Sequence, residues 1–449
     1  MSGPGGDREI SGFSIDTRTI SPGDLFVAIR GDRFDGNAYV REAVGKGAVG
    51  AIVSDAALTD ATELAGTPLL LVPETITALQ TLANRVRRDS GAAVVAVTGS
   101  AGKSTTKEIT AEFLAARYTV FRNRGNLNNH IGLPLSLLEL RKKPDIGVLE
   151  LGMNHFGEIS TLVKIAEPDV RVWTNVAPAH LEFFGTVDAI AEAKAEILEG
   201  ADKDSLLVAN ADDDLVMRHA GAFKGRVRTF GVERPADVRA LAVRDLGLDG
   251  TVAIVRTPIG EAEIRTPLPG TANLSNVLAA AAVAIRFDVP LADIVERAAA
   301  LKPVARRGDV IRAGGVTIVD DSYNSNPKAL SRALAMLAGE TRFARRVAVV
   351  GEMLELGAAS LELHRAAGEE AARAHVSELV AVGGPNARAV AEGALNAGML
   401  ASSVHYVENS AAAGDLAATL VKSGDVVLVK GSRGIRTEAV VERLKAEFA

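Results

Sequence analysis

Short apolar segments rich in valine, leucine and isoleucine alternate with helical patterns along almost the whole chain of 449 residues. Clear examples are Ala92–Thr98, Ile146–Leu151 and Val426–Lys430. Strands that alternate with helices usually run parallel, because each helix carries the chain back to the same end of the sheet. The sequence therefore predicts an α/β fold with mainly parallel sheets, and its length suggests two to four domains.

Turn signals and composition divide the chain into three blocks, at residues 1–90, 91–302 and 303–449. In the first, smaller α/β block, helices are predicted over Asn37–Lys46 and Glu74–Arg88. In the second, the alternation of polar and apolar residues over Ala240–Pro269 predicts antiparallel strands at the edge of a mainly parallel sheet. The third block alternates strands and helices in the pattern of a Rossmann-like domain. Its strand candidates are Val316–Asp320, Arg346–Val350, Leu379–Val382 and Val426–Lys430.

Composition excludes several classes of protein. The formal net charge of −6 provides no basic surface for nucleic acid or anionic lipid. The chain has no cysteine, which excludes disulfides, iron–sulfur clusters and thiol nucleophiles. No apolar run is long enough to cross a bilayer, and the first ten residues lack the features of a signal peptide. We therefore expect a cytoplasmic protein. We also expect a monomer.

A glycine-rich loop follows the strand candidate Ala92–Thr98 and precedes a helical pattern through Lys107–Tyr118. Its residues are Gly99, Ser100, Ala101, Gly102, Lys103, Ser104 and Thr105. In such a loop, backbone N–H groups and a helix N-terminus bind phosphate, the lysine reaches the β- and γ-phosphates, and the hydroxyl holds Mg²⁺. Only two residues separate the glycines, where the usual P-loop has four. The structural alternative is a glycine turn with a capping serine.

Two polar residues follow the next strands of this block. Glu150 ends an apolar strand, where a carboxylate beside a phosphate loop would suit Mg²⁺. A helix cap or a salt bridge is an equally good explanation of Glu150. His180 follows the strand Val170–Asn175 at a comparable position, and either a structural or a functional role is open for it.

Lys194 lies on the apolar side of a predicted helix over Asp188–Gly200. Ile190, Ala193, Ile197 and Leu198 recur at helical spacing, and Lys194 falls inside their stripe. A buried amine needs a partner or a modification to offset the loss of hydration. The plainer alternative is a lysine that extends to the surface and pairs with a neighbouring acid.

The third block contains a polar loop, Asp320–Pro327, between its first predicted strand and the helix that follows. The loop contains Asp321, Tyr323 and Asn326, and Asn326 could simply cap the helix that begins near Pro327. Arg306 and Arg307 precede the strand and could reach a phosphate, or could be solvated linker charges. Two further loops that follow strands, Gly351–Gly357 and Lys430–Gly434, could add polar side chains to the same surface of this domain.

Taken together, these motifs resemble the Mur ligases of peptidoglycan synthesis, over nearly the whole chain. The order and spacing of the matching segments are more specific than any one of them. They are Asp16-Thr17-Arg18, Pro22–Ala28, Phe34–Gly36, the short phosphate loop, Gly125–Asn129, Glu150–Asn154, Ala179–Glu182 and Asp320–Pro327. One position departs from the pattern, because Ala272 stands where many relatives carry a histidine.

The resemblance implies three domains: an N-terminal domain that binds a UDP-linked substrate, a central P-loop-type ATPase domain, and a C-terminal Rossmann-like domain that closes over ATP. The implied reaction joins D-alanyl-D-alanine to UDP-N-acetylmuramoyl-tripeptide. The resemblance further implies two Mg²⁺ sites, which are held by Ser104, Glu150, His180 and a carbamylated Lys194. The implied contacts to ATP, beyond the phosphate loop, are Asn273, Asn276, Arg307, Asp321, Tyr323 and Asn326. The implied contacts to the UDP-linked substrate are Asp16, Thr17, Arg18, Asn128 and Asn129.

Two alternatives remain open at this point. The first is another amide ligase of the same superfamily, either the enzyme that adds the third residue of the peptide or an enzyme that adds glutamate to folate. Either would share the phosphate loop. The Asp-Asn-Pro-Arg segment expected of a diaminopimelate-adding relative is absent. A catalytically silent nucleotide-binding scaffold would be expected to lose some of Lys103, Glu150, His180 and Lys194.

Overall fold

The structure, a computed structural model, describes residues 8–31 and 34–449. The first seven residues, which open the segment compared above with a signal peptide, lie outside the described residues. In the part of the chain that is described, no helix has the length and apolar character required to span a membrane.

The described residues contain nineteen strands, most of them short. They are β1 Gly12–Ser14, β2 Asp24–Val27, β3 Gly50–Val53, β4 Leu69–Leu71, β5 Ala93–Thr98, β6 Val120–Arg122, β7 Ile146–Glu150, β8 Val170–Trp173, β9 Leu206–Asn210, β10 Arg226–Gly231, β11 Val238–Asp245, β12 Thr251–Thr257, β13 Gly260–Thr266, β14 Asp309–Ala313, β15 Val316–Asp321, β16 Arg346–Gly351, β17 Glu378–Val382, β18 Val404–Val407 and β19 Val426–Lys430.

Fifteen α-helices within the same residues connect these strands. They are α1 Val40–Gly45, α2 Thr75–Ser90, α3 Lys103–Leu114, α4 Gly132–Leu137, α5 Glu158–Ala166, α6 Leu181–Phe184, α7 Val187–Ala195, α8 Asp214–Ala220, α9 Gly270–Arg286, α10 Leu291–Ala299, α11 Pro327–Gly339, α12 Ser360–Arg373, α13 Pro385–Asn396, α14 Ser410–Leu420 and α15 Glu438–Glu447.

The chain folds into two compact units. The first comprises the residues up to Ala96, Thr119–Met153 and Gly157–Asp169. Its strands β1 to β4 form a parallel sheet in chain order, and β6 pairs in parallel with β7. The apolar side chains of Phe26, Val40 and Leu58 form part of the core of the four-stranded sheet.

Helix α2 of this unit shows how local sequence sets the ends of an element. The Glu74 carboxylate accepts a hydrogen bond from the Thr77 backbone N–H at the start of the helix. Gly91 adopts a left-handed conformation, with φ of 69°, directly after the last helical residue. These two signals extend the helix by two residues past the predicted end at Arg88.

The second unit comprises Val97–Tyr118, Asn154–Phe156 and Val170–Ala449. Strands β8 to β13 lie side by side in chain order, and β13 forms the edge of their sheet. The pairs from β8 to β11 are parallel, whereas β11, β12 and β13 are antiparallel. The antiparallel edge predicted for Ala240–Pro269 is therefore confirmed.

The same unit contains a six-stranded sheet in the order β14-β15-β19-β16-β17-β18, antiparallel only at β14. Strand β19 is buried along its whole length, as expected of a parallel strand covered on both faces. One apolar core lies on each face: the first includes residues of α11, α12 and α13, and the second includes residues of α14 and α15. The carboxyl ends of β15, β16 and β19 carry the three polar loops singled out in the third block.

Three helix predictions need correction. The helix predicted over Asn37–Lys46 begins as a 3₁₀ turn over Gly36–Tyr39 and is α-helical only over Val40–Gly45. Helix α3 begins at Lys103 and ends at Leu114, because the backbone N–H groups of Ala116 and Arg117 turn to i−3 carbonyls in place of the helical i−4 pattern. The helix predicted over Asp188–Gly200 is α-helical only to Ala195 and continues as a 3₁₀ turn over Glu196–Leu198.

Candidate active site

The glycine-rich loop joins β5 to α3, as the sequence predicted. Gly99 has a φ of 145°, and a Cβ atom there would lie 2.0 Å from the Thr174 hydroxyl oxygen. Gly102 has a φ of 82° and directly precedes the first residue of α3. Both glycines are therefore required by the backbone path, and the loop ends at a helix N-terminus, where N–H groups attract anions.

The segment after β8 holds this loop in shape. The Asn175 side chain accepts from the Ala101 N–H at 2.9 Å and donates to the Ala101 carbonyl at 3.0 Å. The Ser100 hydroxyl donates to the Ala177 carbonyl and accepts from the Ala177 N–H. Asn175 was not predicted as a functional residue. The available signal was its position at the end of a predicted strand beside a polar loop.

Lys103 and Ser104 occupy the first turn of α3. The Lys103 amine donates to the Gly99 carbonyl at 2.8 Å, so the side chain lies along the loop. Ser104 and Thr105 are each 8% exposed. The residues predicted to bind nucleotide phosphates thus come together in one short segment.

The start of α9 meets the start of α3 beside the loop. The Asn276 amide oxygen accepts from the Thr106 hydroxyl at 3.1 Å, and its nitrogen donates to Asn273 at 3.4 Å. Asn273 in turn donates to the Pro269 carbonyl. The structure therefore brings the two asparagines predicted to contact ATP to the loop, and it adds Thr106 to the network.

Lys194 lies in the last turn of α7 and is 2% exposed, which confirms that it is buried. Burial, and secondarily the positive charge of Lys103, lower the pKa of Lys194 well below its ordinary value. A lowered pKa increases the share of the neutral amine, and the neutral amine is the form that reacts with carbon dioxide to give a carbamate.

His180 meets the loop that follows β16. Its ring nitrogen Nδ1 lies 2.5 Å from the Glu355 carboxylate, and this hydrogen bond lowers the pKa of Glu355. Glu355 was not identified from the sequence as a site residue. The two residues are 175 positions apart, and a sequence pattern cannot show that they touch.

The two arginines that precede β14 have different partners. Arg306 forms an ion pair with Glu438 at 3.1 Å. The Arg307 guanidinium lies 4.1 Å from the centre of the Tyr323 ring, a cation–π distance. Arg307 and Tyr323, both predicted nucleotide contacts, are therefore adjacent.

The remaining predicted contacts of this loop have structural partners. Asp321 accepts a hydrogen bond from the buried Lys430 amine at 2.6 Å. Asn326 caps α11 by accepting from the Ala329 N–H, so the capping alternative is confirmed for its oxygen. These contacts fix the loop between β15 and α11.

In the first unit, Glu150 ends β7 and is 4% exposed. Its carboxylate accepts from the Asn128 amide at 2.9 Å, and its backbone N–H donates to Asn123. Asn129 accepts from the N–H groups of Ile131 and Gly132 at the start of α4. Asn128, predicted as a substrate contact, is thus a partner of the predicted metal ligand.

Asp16 and Arg18 form a bidentate pair at the surface of the first unit. The Arg18 Nε lies 2.9 Å from one carboxylate oxygen and its Nη2 lies 2.6 Å from the other. These bonds, followed by one from the Arg18 backbone N–H, lower the pKa of Asp16 to about 2. The Thr17 carbonyl accepts from Lys46, so the turn that carries all three residues is well defined.

The predicted magnesium ligands offer one hydroxyl, one carboxylate, one imidazole and one lysine. Nowhere in residues 8–31 and 34–449 do three His, Asp or Glu side chains gather as a ready-made metal site. A magnesium site here would need further oxygen ligands, since Mg²⁺ prefers oxygen. A carbamate on the buried Lys194 would supply such oxygens, so the residues fit the ion.

Comparisons with known proteins match the chain almost from end to end. Three family models match in sequence order: "Mur ligase family, catalytic domain" over residues 9–87, "Mur ligase middle domain" over residues 97–284, and "Mur ligase, glutamate ligase domain" over residues 306–433. The UDP-N-acetylmuramoyl-tripeptide–D-alanyl-D-alanine ligase of Escherichia coli (strain K12) is 35% identical over 447 residues, which cover 98% of this chain and 95% of the relative.

Solved structures are similar over the same extent. MurF from Acinetobacter baumannii is 32% identical with a TM-score of 0.87, and covers 97% of this chain and 94% of its own. MurF ligase from Thermotoga maritima in complex with ADP is 32% identical with a TM-score of 0.84, and covers 98% of this chain and 99% of its own.

Proposed function

This chain belongs to the Mur ligase family, and on that premise we propose that it is the ATP-dependent ligase that joins D-alanyl-D-alanine to UDP-N-acetylmuramoyl-tripeptide. The observation that carries the proposal is the loop Gly99–Thr105, which is braced by Asn175, lies beside Asn276 and belongs to the same unit as the buried Lys194. Similarity at full length to ligases of this specificity supports it over a third-residue or folate ligase.

The reaction needs ATP because a carboxylate is a poor acyl donor. The terminal carboxylate of the tripeptide attacks the γ-phosphorus of ATP, the bond to ADP breaks, and an acyl phosphate forms. The amine of D-alanyl-D-alanine then attacks the acyl carbon, loses a proton, and phosphate leaves from the tetrahedral intermediate. The work of the protein is mostly positioning and electrostatic stabilisation of the transferred phosphoryl group.

Particular side chains serve these steps. Lys103 and the N–H groups of the loop would stabilise the charge on the phosphates. Arg307, Asp321, Tyr323 and Asn326 would complete the nucleotide site, together with Asn273 and Asn276. Ser104, Glu150, His180 and carbamylated Lys194 would hold Mg²⁺. Bound Mg²⁺ would neutralise charge on the transferred group.

The proposal extends to the organisation of the chain. Residues 1–90 would bind the UDP end of the substrate, residues 91–302 the ATP, and residues 303–449 would close over the nucleotide. Asp16, Thr17, Arg18, Asn128 and Asn129 are the proposed contacts to the UDP-linked substrate. Closure would exclude water, which would otherwise hydrolyse the acyl phosphate. We also propose that the enzyme works in the cytoplasm as a monomer.

The test measures phosphate release by the full chain with ATP, Mg²⁺ and UDP-N-acetylmuramoyl-tripeptide, with one candidate amine at a time. We expect turnover with D-alanyl-D-alanine and a pentapeptide product by mass spectrometry. The Lys103→Ala variant should lose about 10²–10³-fold in kcat, while Lys164→Ala, an exposed lysine on α5, should match the unmodified chain. Turnover that requires glutamate or a single amino acid, or equal activity of Lys103→Ala, would overturn the proposal.

A further inference from the structure

Glu355 makes two separate contacts with the segment that carries His180. Its carboxylate oxygen Oε2 lies 2.5 Å from His180 Nδ1, and its backbone carbonyl accepts from the Glu182 N–H at 3.1 Å. Two residues later, a Cβ atom at Gly357 would lie 3.1 Å from the Cα atom of Glu182. The loop after β16 is therefore seated closely against the start of α6.

The backbone at this contact is unusual on both sides. His180 has a φ of 60° and Glu355 a φ of 64°, a left-handed conformation that residues other than glycine rarely adopt. Such conformations persist where surrounding contacts determine them, and they concentrate at functional sites. Here each left-handed residue faces the other, and each directs its side chain into the same hydrogen bond.

The bond also has a chemical consequence for the imidazole ring. A carboxylate at Nδ1 favours the form that carries hydrogen on Nδ1, and in the neutral ring this leaves a lone pair on Nε2. Carboxylates and carbonyls commonly orient metal-binding histidines in this way and make the other nitrogen more basic. The His180 side chain remains 23% exposed, so the ring is accessible to a ligand.

We propose that Glu355 is a positioning residue for His180, holding the ring with hydrogen on Nδ1 and with Nε2 presented to the reaction. His180 follows the strand β8, whereas Glu355 follows β16 of the six-stranded sheet. Seating of the loop Gly351–Gly357 therefore prepares the imidazole for its role. The catalytic consequence rests on the proposed function, because it assumes that His180 serves the transfer of the phosphoryl group.

The first test observes the ring itself. ¹⁵N-histidine spectra of the full chain would be recorded at increasing pH until the ring signals stop changing, with His180→Gln to assign the signal. We expect hydrogen on Nδ1 in the unmodified chain and a shift to Nε2 in Glu355→Ala. Glu355→Gln keeps an acceptor of the same length and should retain more of the Nδ1 form. Glu362→Gln, an exposed glutamate on α12, is the matched control and should change nothing.

The second test measures kinetics with the same variants. Loss of a residue that orients a metal-binding histidine costs about 10–100-fold in activity. We therefore expect kcat to fall by about that factor in Glu355→Ala, to recover partly in Glu355→Gln, and the KM for D-alanyl-D-alanine to stay nearly constant.

The outcomes separate the two proposals. An unchanged ring signal in Glu355→Ala, in an enzyme that still ligates D-alanyl-D-alanine, overturns the positioning role and leaves the proposed function standing. A shifted ring signal in a chain without ligase activity supports the positioning role and overturns the proposed function. A ring shift without loss of kcat overturns the catalytic consequence drawn from the contact.

Discussion

The side-chain oxygen of Asn276 lies 2.5 Å from the position that a Cβ atom at Gly102 would occupy. The same oxygen accepts a hydrogen bond from Thr106, so it cannot move without loss of that bond. Gly102→Ala would place a methyl group against Asn276 and would also impose a side chain at a φ of 82°. We expect kcat/KM for ATP to fall by at least about tenfold, because the loop must shift from the path that suits phosphate.

Gly91→Ala is the control for this prediction. Gly91 also has a positive φ, of 69°, but no atom lies within 4 Å of its would-be Cβ. The backbone cost of about 1 kcal/mol is therefore common to both variants, and the clash is specific to Gly102. Phosphate-release kinetics and thermal unfolding of both variants would decide; equal activity of the two would contradict the argument.

Lys194 should carry a carbamate in the active enzyme. Burial lowers its pKa, which increases the share of the neutral amine that can take up carbon dioxide. ¹³C spectra in labelled bicarbonate should show a carbamate carbon that is absent from Lys194→Ala. That variant should lose activity and recover part of it with added short carboxylates, whereas Lys203→Ala, an exposed lysine, should do neither.

The sign of the pH dependence follows from the same shift. The unfolded chain binds a proton at Lys194 below about pH 10.5, whereas the folded chain with a free amine does not until a lower pH. The contribution of this residue to stability therefore falls as pH decreases through that window.

A free lysine at position 194 in fully active enzyme would refute the proposed carbamate.

The hairpin between β11 and β12 should stabilise the six-stranded sheet. Leu248 is 3% exposed and belongs to the core on one face of that sheet. Its backbone N–H donates to the buried Glu340, and Asp249 forms ion pairs with Arg312 and Arg342. Truncation of a buried leucine costs about 2–5 kcal/mol, so Leu248→Ala should lower the free energy of unfolding by that amount.

Urea unfolding would measure this effect. Leu241→Ala, on the same hairpin but 39% exposed, is the matched control and should change stability by less than about 0.5 kcal/mol. Equal losses for the two variants would show that Leu248 is not anchored in the core of the six-stranded sheet.

Local patterns predicted the elements that dominate this fold. The alternation of short apolar runs with helices gave parallel sheets, because buried parallel strands such as β19 are apolar throughout. The apolar stripe around Lys194 raised the possibility of a buried amine but left a surface lysine open, and the structure shows that Lys194 is buried. Strands β14 and β18, at the two edges of their sheet, were missed because partly buried edge strands lack a continuous apolar run.

The site could be predicted only as far as single segments. The phosphate loop was recognisable because its glycines and lysine are contiguous. Asn175, which braces the loop, and Thr106, which bonds Asn276, were missed because contacts across 74 and 170 residues cannot be read from a local pattern. The strand-end position of Asn175 was the one signal available. The pairing of Glu355 with His180 was missed for the same reason.

The pKa of the Asp16 carboxyl group is lowered to about 2. The largest cause is the side-chain hydrogen bond with Arg18, and the next is the bond from the Arg18 backbone N–H. Arg18→Ala removes the first and keeps the second, so the pKa should rise but stay below the ordinary 3.8. A lowered carboxylate pKa contributes stability above about pH 4, and the contribution is lost as pH falls toward 2. In Arg18→Ala, the contribution of Asp16 to the free energy of unfolding should be smaller and should be lost at a higher pH.

Carboxyl ¹³C titration of Asp16 would measure the shift. Arg41→Ala is the control, because Arg41 pairs with Glu63 at 2.6 Å in the same unit and should leave Asp16 unchanged. If Arg18→Ala leaves the pKa of Asp16 at about 2, the bidentate pair is not its cause. A pKa that moves only in Arg18→Ala would show that Asp16 holds the exposed guanidinium in place. The proposed UDP-linked substrate would then meet an arginine that is already oriented.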